Sequence, residues 1–184
     1  LSTVKEKMLD ADGIIFASPV YVFNVSTLMK NLIDRFAYMS HRPEFFEKSA
    51  IAVVSSGGGG IPETLKYLES VLLGWGFSFA GKLGVMMHPA VDNSANTERK
   101  VKEVSHDFYN SIKEKKPISP RLNELLQFRI IKLNSLQSKE HFPADFEFYK
   151  DTKDFYVPAR ISFIKNLSAK ILEKIIVRGM EKKA

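Results

Sequence analysis

Two short segments combine residue types that suit a flat, heteroatom-rich ligand. The first candidate group lies in ASPVYVFN and comprises Ser18, Pro19, Val20, Tyr21, Phe23 and Asn24. The second lies in SSGGGG and comprises Ser55, Ser56, Gly57, Gly58 and Gly59. Aromatic rings can stack on a planar ligand and Asn24 can hydrogen-bond to it, while glycines expose backbone N–H groups with no side chain in the way. Together the two segments predict a binding site for an aromatic ligand.

Each segment alone also has a simpler interpretation. Four glycines are compatible with a flexible loop, and the two aromatic residues with packing. The glycines do not form a nucleotide-binding motif, because no Gly-Lys-Ser/Thr follows and Pro62 stands where a dinucleotide fingerprint needs its third glycine. His88, in a further loop over residues 88–93, could contact a nicotinamide or an electron acceptor, although a solvated histidine is the simpler interpretation. The other histidines show no metal-ligand spacing, so no metal site and no catalytic residue is predicted.

The elements that position these segments alternate between strand and helix. Apolar runs predict strands near 13–17, 49–55 and 77–87, the first of them covered on both faces. Helical spacing predicts helices at 2–10, 25–39, 62–73 and 95–115, with Asn24 as the N-cap of the second. This order indicates an α/β fold with a parallel sheet, in which ligands bind beyond the carboxyl ends of the strands. Both candidate segments follow such ends.

The remainder of the chain predicts a helical extension. Residues 1–118 form the predicted α/β domain, and residues 119–184 contain helices at 122–137 and 161–180 around an irregular aromatic stretch at 142–158. Residues 155–184 hold seven Lys or Arg against two Glu, so most of the net charge of +6 lies there. The last helix has the amphipathic, basic pattern of membrane-surface helices. Packing on its own domain or across a dimer is favoured over peripheral membrane contact, and nucleic-acid binding is not expected because no reading motif accompanies the charge.

Composition limits the chemistry further. The chain has no cysteine, which excludes disulfides, thiolate metal ligands and a cysteine nucleophile from these 184 residues. No apolar run approaches the roughly 20 residues of a membrane-spanning helix. A reducing cytoplasm is the expected location.

The stretch ADGIIFASPVYVFNVSTLMKNLIDR, over Ala11–Arg35, resembles the flavin-loop region of the NAD(P)H-dependent FMN reductases, a family of the flavodoxin-like superfamily. In that family a strand ends in Ser-Pro-Val-Tyr and is followed by a helix of the type LK-x-x-IDR; here the helix reads MKNLIDR. The segment VVSSGGGG and the following Pro62-Glu63-Thr64 are also similar. The resemblance covers about residues 1–115.

The resemblance implies a doubly wound sheet of which three of five strands are present, in a chain that is N-terminally incomplete. It implies an FMN ring between the two candidate segments, with the phosphate loop, and in some relatives an iron–sulfur cluster, upstream of Leu1. Without that loop, this chain alone is expected to hold FMN weakly. The implied activity passes a hydride from NAD(P)H to the flavin and then to a quinone, a flavin or another small-molecule acceptor, in a homo-oligomer. An electron carrier that exchanges electrons with protein partners is the alternative.

Overall fold

The computed structural model describes residues 2–88, 94–114 and 118–181. Contacts divide the chain into two compact units, Leu1–Lys116 and Pro117–Ala184. The predicted assignment of residues 1–118 to a flavin domain and 119–184 to an extension stays a prediction, and each unit is described by itself below.

The first unit is a three-stranded sheet with helices between its strands. Its elements are α1 (Ser2–Asp10), β1 (Gly13–Pro19), α2 (Thr27–Arg35), a 3-10 turn (Ala37–Ser40), β2 (Ser49–Ser56), α3 (Ile61–Gly74), β3 (Ser78–Met86) and α4 (Ser94–Glu114). The strand order is β1-β2-β3, and both neighbouring pairs are parallel, with Gly13 opposite Ser49 and Ser49 opposite Ser78. Parallel neighbours require a crossover, and α2 and α3 provide the two that are needed. The predicted α/β class and the three parallel strands are confirmed.

Strand β1 differs from its prediction in length and in exposure. It continues to Pro19, opposite Ser55, and the next residue still donates from its N–H to Ser55 O at 2.8 Å. Proline is tolerated because β1 is an edge strand of the described sheet, and a missing N–H on its outer side removes no hydrogen bond to β2. One face is buried, with Phe16 4% exposed. The other face is covered by α4 side chains only near Gly13, and Ile15 is 57% exposed. The prediction that both faces of this strand are covered is therefore wrong for the described chain.

The helix after β1 also begins later than predicted. Its first residue is Thr27 and its N-cap is Ser26, whose Oγ accepts from the N–H of Met29 at 3.4 Å. Asn24 is not the N-cap, because its backbone is engaged in a tight turn that precedes the helix. The regular helix ends at Arg35, and the rest of the predicted span is the 3-10 turn.

An aromatic cluster fills the core between the sheet and its helices. The indole of Trp75 lies edge-on to Phe16 and Phe36, with ring centroids 5.9 and 5.7 Å apart. Phe45 stacks on Phe77 at 4.4 Å. These rings come from β1, from the end of α2, and from the segments before β2 and β3. The cluster therefore fixes the strands whose carboxyl ends carry the candidate segments.

The second unit consists of α5 (Leu122–Gln137), α6 (Pro143–Tyr149) and α7 (Phe163–Glu181). The prediction that 142–158 is irregular is wrong in its first half, where Pro143 occupies the first turn of α6, a position that needs no N–H donor. Phe128, Tyr149 and Phe155 are among its most buried side chains. Among the described residues, no helix is long and apolar enough to cross a membrane.

Candidate functional site

A tight turn presents two aromatic side chains beyond the carboxyl end of β1. Tyr21 and Asn24 pair as an antiparallel bridge, with N–O distances of 2.8 and 3.1 Å between their backbones. The two residues at its tip, Val22 and Phe23, have positive φ angles of 50° and 62°. Such angles are unusual for any residue but glycine, and most unusual for a β-branched one, so the tip stores about 1–3 kcal/mol per residue. Tyr21, Val22 and Phe23 are 61, 93 and 66% exposed.

Polar side chains fix this turn to its surroundings. Ser18 is buried, and its Oγ accepts from the N–H of Ser26 at 2.9 Å and donates to Pro19 O at 2.9 Å. Asn24 uses its Oδ1 to accept from the N–H of Val25 at 2.8 Å. The predicted ligand contacts of Ser18 and Asn24 stay predictions. Within the described chain, the Ser18 hydroxyl and the Asn24 side-chain carbonyl join the strand, the turn and the start of α2. This bracing explains how the strained tip is held.

The glycine segment after β2 contains positions with different requirements. A Cβ added at Gly57 or Gly58 would meet no atom within 4 Å, and neither residue has a positive φ. Gly60 has a φ of 88°, and a Cβ there would lie 2.8 Å from Val20 Cγ1 and 3.0 Å from Phe23 Cα. Glycine is thus required by the fold at residue 60, whereas at residues 57 and 58 nothing in the described chain requires it.

The buried Ser56 side chain holds the conformation of the same glycine segment through two hydrogen bonds. Its Oγ donates to Gly59 O at 2.9 Å and accepts from the N–H of Gly58 at 3.1 Å. Among the described residues, none accepts a hydrogen bond from the N–H groups of Gly57 and Gly59. The segment therefore presents two backbone donors on an open surface that carries no side chains.

The structure brings the two candidate segments into contact. A Cβ at Gly59 would lie 3.4 Å from Phe23 Cε1, so the phenyl ring lies against the glycine backbone. The N–H of Val20 donates a hydrogen bond to Ser55 O at 2.8 Å, which extends the β1–β2 pairing. The third loop approaches from β3, where Met87 N donates to Ser56 O at 2.7 Å. Of that loop only His88 lies within the described residues, and its proposed contact with a nicotinamide stays a prediction.

A groove of about 680 Å³ lies between the turn and α2. Tyr21 and Asn24 line it from the turn, and Lys30, Asn31 and Asp34 line it from the helix. Lys30 donates to the Asp34 carboxylate, and this hydrogen bond raises the pKa of the Lys30 ammonium. Sequence reasoning did not assign these helix residues to a site, although the four-residue spacing of Lys30 and Asp34 was visible within MKNLIDR.

Among residues 2–88, 94–114 and 118–181, no group of three or more His, Asp or Glu is placed to hold a metal ion. The arrangement is suited to planar ligands: an aromatic tip, an open glycine surface with two backbone donors that meet no acceptor among the described residues, and an adjoining groove.

Comparison with known proteins identifies the family. The family profile described as NADPH-dependent FMN reductase matches residues 1–92. An iron–sulfur flavoprotein of Archaeoglobus fulgidus is 29% identical over 157 residues, covering 82% of this chain and 69% of the relative. An NADPH:quinone oxidoreductase of Arabidopsis thaliana is 42% identical over 55 residues, covering 30% of this chain and 26% of the relative.

A solved structure, that of a WrbA-like flavodoxin from Agrobacterium tumefaciens, is 18% identical, with a TM-score of 0.48, covering 63% of this chain and 75% of that one. The profile match, which spans half of the 184 residues and includes both candidate segments, decides the assignment. The chain belongs to the NADPH-dependent FMN reductase family.

Proposed function

We propose that this chain carries the flavin-ring site of an FMN-dependent NAD(P)H oxidoreductase. The observation that carries the proposal is the meeting of Phe23 with the glycine segment, beside Gly57 and Gly58, where a Cβ would find open space. A planar ring with acceptor atoms at its rim fits this place, because it needs a flat approach to backbone donors. When bound, FMN would accept a hydride from NAD(P)H and pass reducing equivalents to a quinone, a flavin or another small acceptor.

The chain's own residues would bind the ring and favour negative charge on it. The N–H groups of Gly57 and Gly59 point at no described acceptor and would donate to the ring's polar edge. Fixed donors that need no reorganisation stabilise charge that develops during a reaction. Tyr21 and Phe23 would cover the ring and exclude water. Ser18 and Ser56 would also act as positioning residues, since their hydroxyls hold the two segments.

The donor and the acceptor are proposed from the relatives. The plant relative's name specifies NADPH and a quinone, and the archaeal relative's name specifies an iron–sulfur centre. This chain contains no cysteine, so the ligands of any such cluster would have to come from outside these 184 residues. We also propose a homo-oligomer, supported by the exposed side chains of Val22 and Leu28 near the site.

Replacing Tyr21 and Asn24 together by alanine should weaken FMN binding. The double change removes an aromatic contact worth about 0.5–1.5 kcal/mol. It also removes the hydrogen bond from Val25 N–H to the Asn24 side chain that braces the turn, worth about 0.5–1.5 kcal/mol. We therefore expect the Kd for FMN to rise about 10- to 100-fold in a fluorescence-quenching titration. The matched control is Tyr109→Ala/Asn110→Ala on α4, where the tyrosine is 62% exposed and the asparagine bonds to His106. An unchanged Kd in the Tyr21/Asn24 variant would place the ring elsewhere.

An electron carrier is the second candidate function, and rapid-mixing kinetics separates the two. An oxidoreductase is expected to bleach its flavin absorbance when mixed with NADPH alone under anaerobic conditions. A carrier's flavin stays oxidised until a separate reductase is added. The same mixing with dithionite in place of NADPH controls for flavin that cannot be reduced at all. Slow or absent reduction by both NADPH and NADH, with normal reduction by dithionite, would favour the carrier.

A further inference from the structure

Helix α7 packs against the rest of the second unit through one face, which we call its inner face. The Arg129 guanidinium on α5 lies 3.1 Å from the Glu173 carboxylate and 2.7 Å from Asn166 Oδ1. Ala169, on the same face of α7, is fully buried. Lys165 lies beside this face and donates to Pro120 O at 2.8 Å. The packing favoured from the sequence is therefore present, but it uses only the inner face.

The outer face carries an apolar stripe that the rest of the second unit leaves uncovered. Four of its members recur every fourth residue, Ile164 lies beside the first of them, and all five are between 47 and 81% exposed: Phe163, Ile164, Leu167, Ile171 and Ile175. From the first to the last the stripe extends about 18 Å along the helix. Single exposed apolar residues are ordinary, but a contiguous stripe marks an interaction surface.

A row of cations borders this stripe. Lys170, Lys174 and Arg178 are exposed and recur every fourth residue, so they share one side of the helix. Glu173, the one acidic residue among the described side chains of α7, faces inward to Arg129. The outer face is therefore apolar and cationic with no described carboxylate to balance it.

These features favour a lipid surface over a second copy of the chain. Two copies packed antiparallel about a twofold axis would bring their cationic rows side by side, and like charges at close range repel. Five apolar side chains on one helix are also few beside the about 20–30 residues a side of a stable protein interface. Neither objection applies to an anionic bilayer surface. The apolar stripe would enter the boundary of the acyl chains, and the cations would meet lipid phosphates.

We propose that α7 binds the surface of membranes that contain anionic lipids. Its 19 residues lie in the plane of the interface, with Ile164, Leu167 and Ile171 toward the acyl chains and the cationic row at the headgroups. Arg129 holds the inner face, so the helix presents the stripe already folded.

Vesicle flotation with the full 184-residue protein tests the proposal. We expect the protein to float with equimolar phosphatidylcholine and phosphatidylglycerol, to bind far less to phosphatidylcholine alone, and to dissociate at high salt. Lys170→Gln/Lys174→Gln/Arg178→Gln should lower the partition coefficient about a hundredfold, as expected for three cations near an anionic surface. The control Lys7→Gln/Lys66→Gln/Lys100→Gln removes the same charge from exposed lysines on α1, α3 and α4 and should change it little.

A fluorescent label locates the contact independently. Because the chain has no cysteine, Ile171→Cys provides a single attachment site for an environment-sensitive dye. The dye should shift to the blue on adding anionic vesicles, whereas the same dye at Lys100→Cys should not.

Three results would overturn the proposal. They are absence of binding to anionic vesicles, equal binding by the Lys170/Lys174/Arg178 variant, and a dye shift at residue 100 in place of 171. A dimer that Ile164→Ser/Leu167→Ser/Ile171→Ser converts to a monomer, in a protein that does not bind vesicles, would assign the stripe to a second copy instead. The circular dichroism of each variant should match that of the parent, since every replaced side chain is exposed.

Discussion

Replacing Trp75 by alanine is expected to lower the free energy of unfolding of the first unit by about 3–5 kcal/mol. The indole is 1% exposed and lies edge-on to Phe16 and Phe36. Removing it deletes a large apolar surface and leaves a cavity among aromatic rings that cannot collapse without moving β1 or α2. The loss should reach the candidate site, because β1 carries the turn of Tyr21 and Asn24.

Urea unfolding followed by circular dichroism measures this effect, since Trp75 is the only tryptophan and its fluorescence is lost with the substitution. Tyr109→Ala provides the control: its ring is 62% exposed, and its removal should change stability by no more than about 0.5 kcal/mol. A change below about 1 kcal/mol for Trp75→Ala would show that the cluster repacks, and that it does not fix the strands.

The strands and most helices could be predicted because local pattern and tertiary structure agree there. The apolar runs at β2 and β3 are bounded by glycine, serine or charged residues, and the observed strands begin and end within one residue of the prediction. Helix α5 matches its prediction at both ends. Helix α6 was missed because seven aromatic-rich residues are too few to show a helical period.

The turn between β1 and α2 could not be predicted, because its backbone contradicts its residue types. Two central residues with positive φ normally mean Asn-Gly or a similar pair, and here they are Val22 and Phe23. Such a conflict persists only where the surroundings impose it, as Ser18, Asn24 and the Gly60 backbone do here. Conflicts between local preference and structure are expected at functional sites, which supports the turn as part of one.

Four identical glycines likewise carry no sequence signal that distinguishes one from another, but substitutions at residues 58 and 60 should distinguish them. We expect Gly58→Val to leave the stability of the protein nearly unchanged, because a Cβ at residue 58 meets nothing within 4 Å and its φ is not positive. The valine would nevertheless stand on the surface where the flavin ring is proposed to lie. Displacing the ring from two backbone donors, each worth about 1.5 kcal/mol, would raise the Kd for FMN about a hundredfold.

Gly60→Val should have the opposite order of effects. A φ of 88° disfavours a side chain by about 1–2 kcal/mol, and the Cβ contact of 2.8 Å with Val20 adds overpacking of about 1–3 kcal/mol. Urea unfolding and FMN titration should therefore separate the two variants. Gly58→Val should be as stable as the parent but bind FMN weakly, whereas Gly60→Val should be destabilised. If Gly58→Val binds FMN as well as the parent does, the open surface at Gly57 and Gly58 is not the ring's site, and the glycine segment serves the fold through Gly60 alone. If the free energy of unfolding of Gly58→Val falls, residue 58 contacts groups that the structure does not describe beside it.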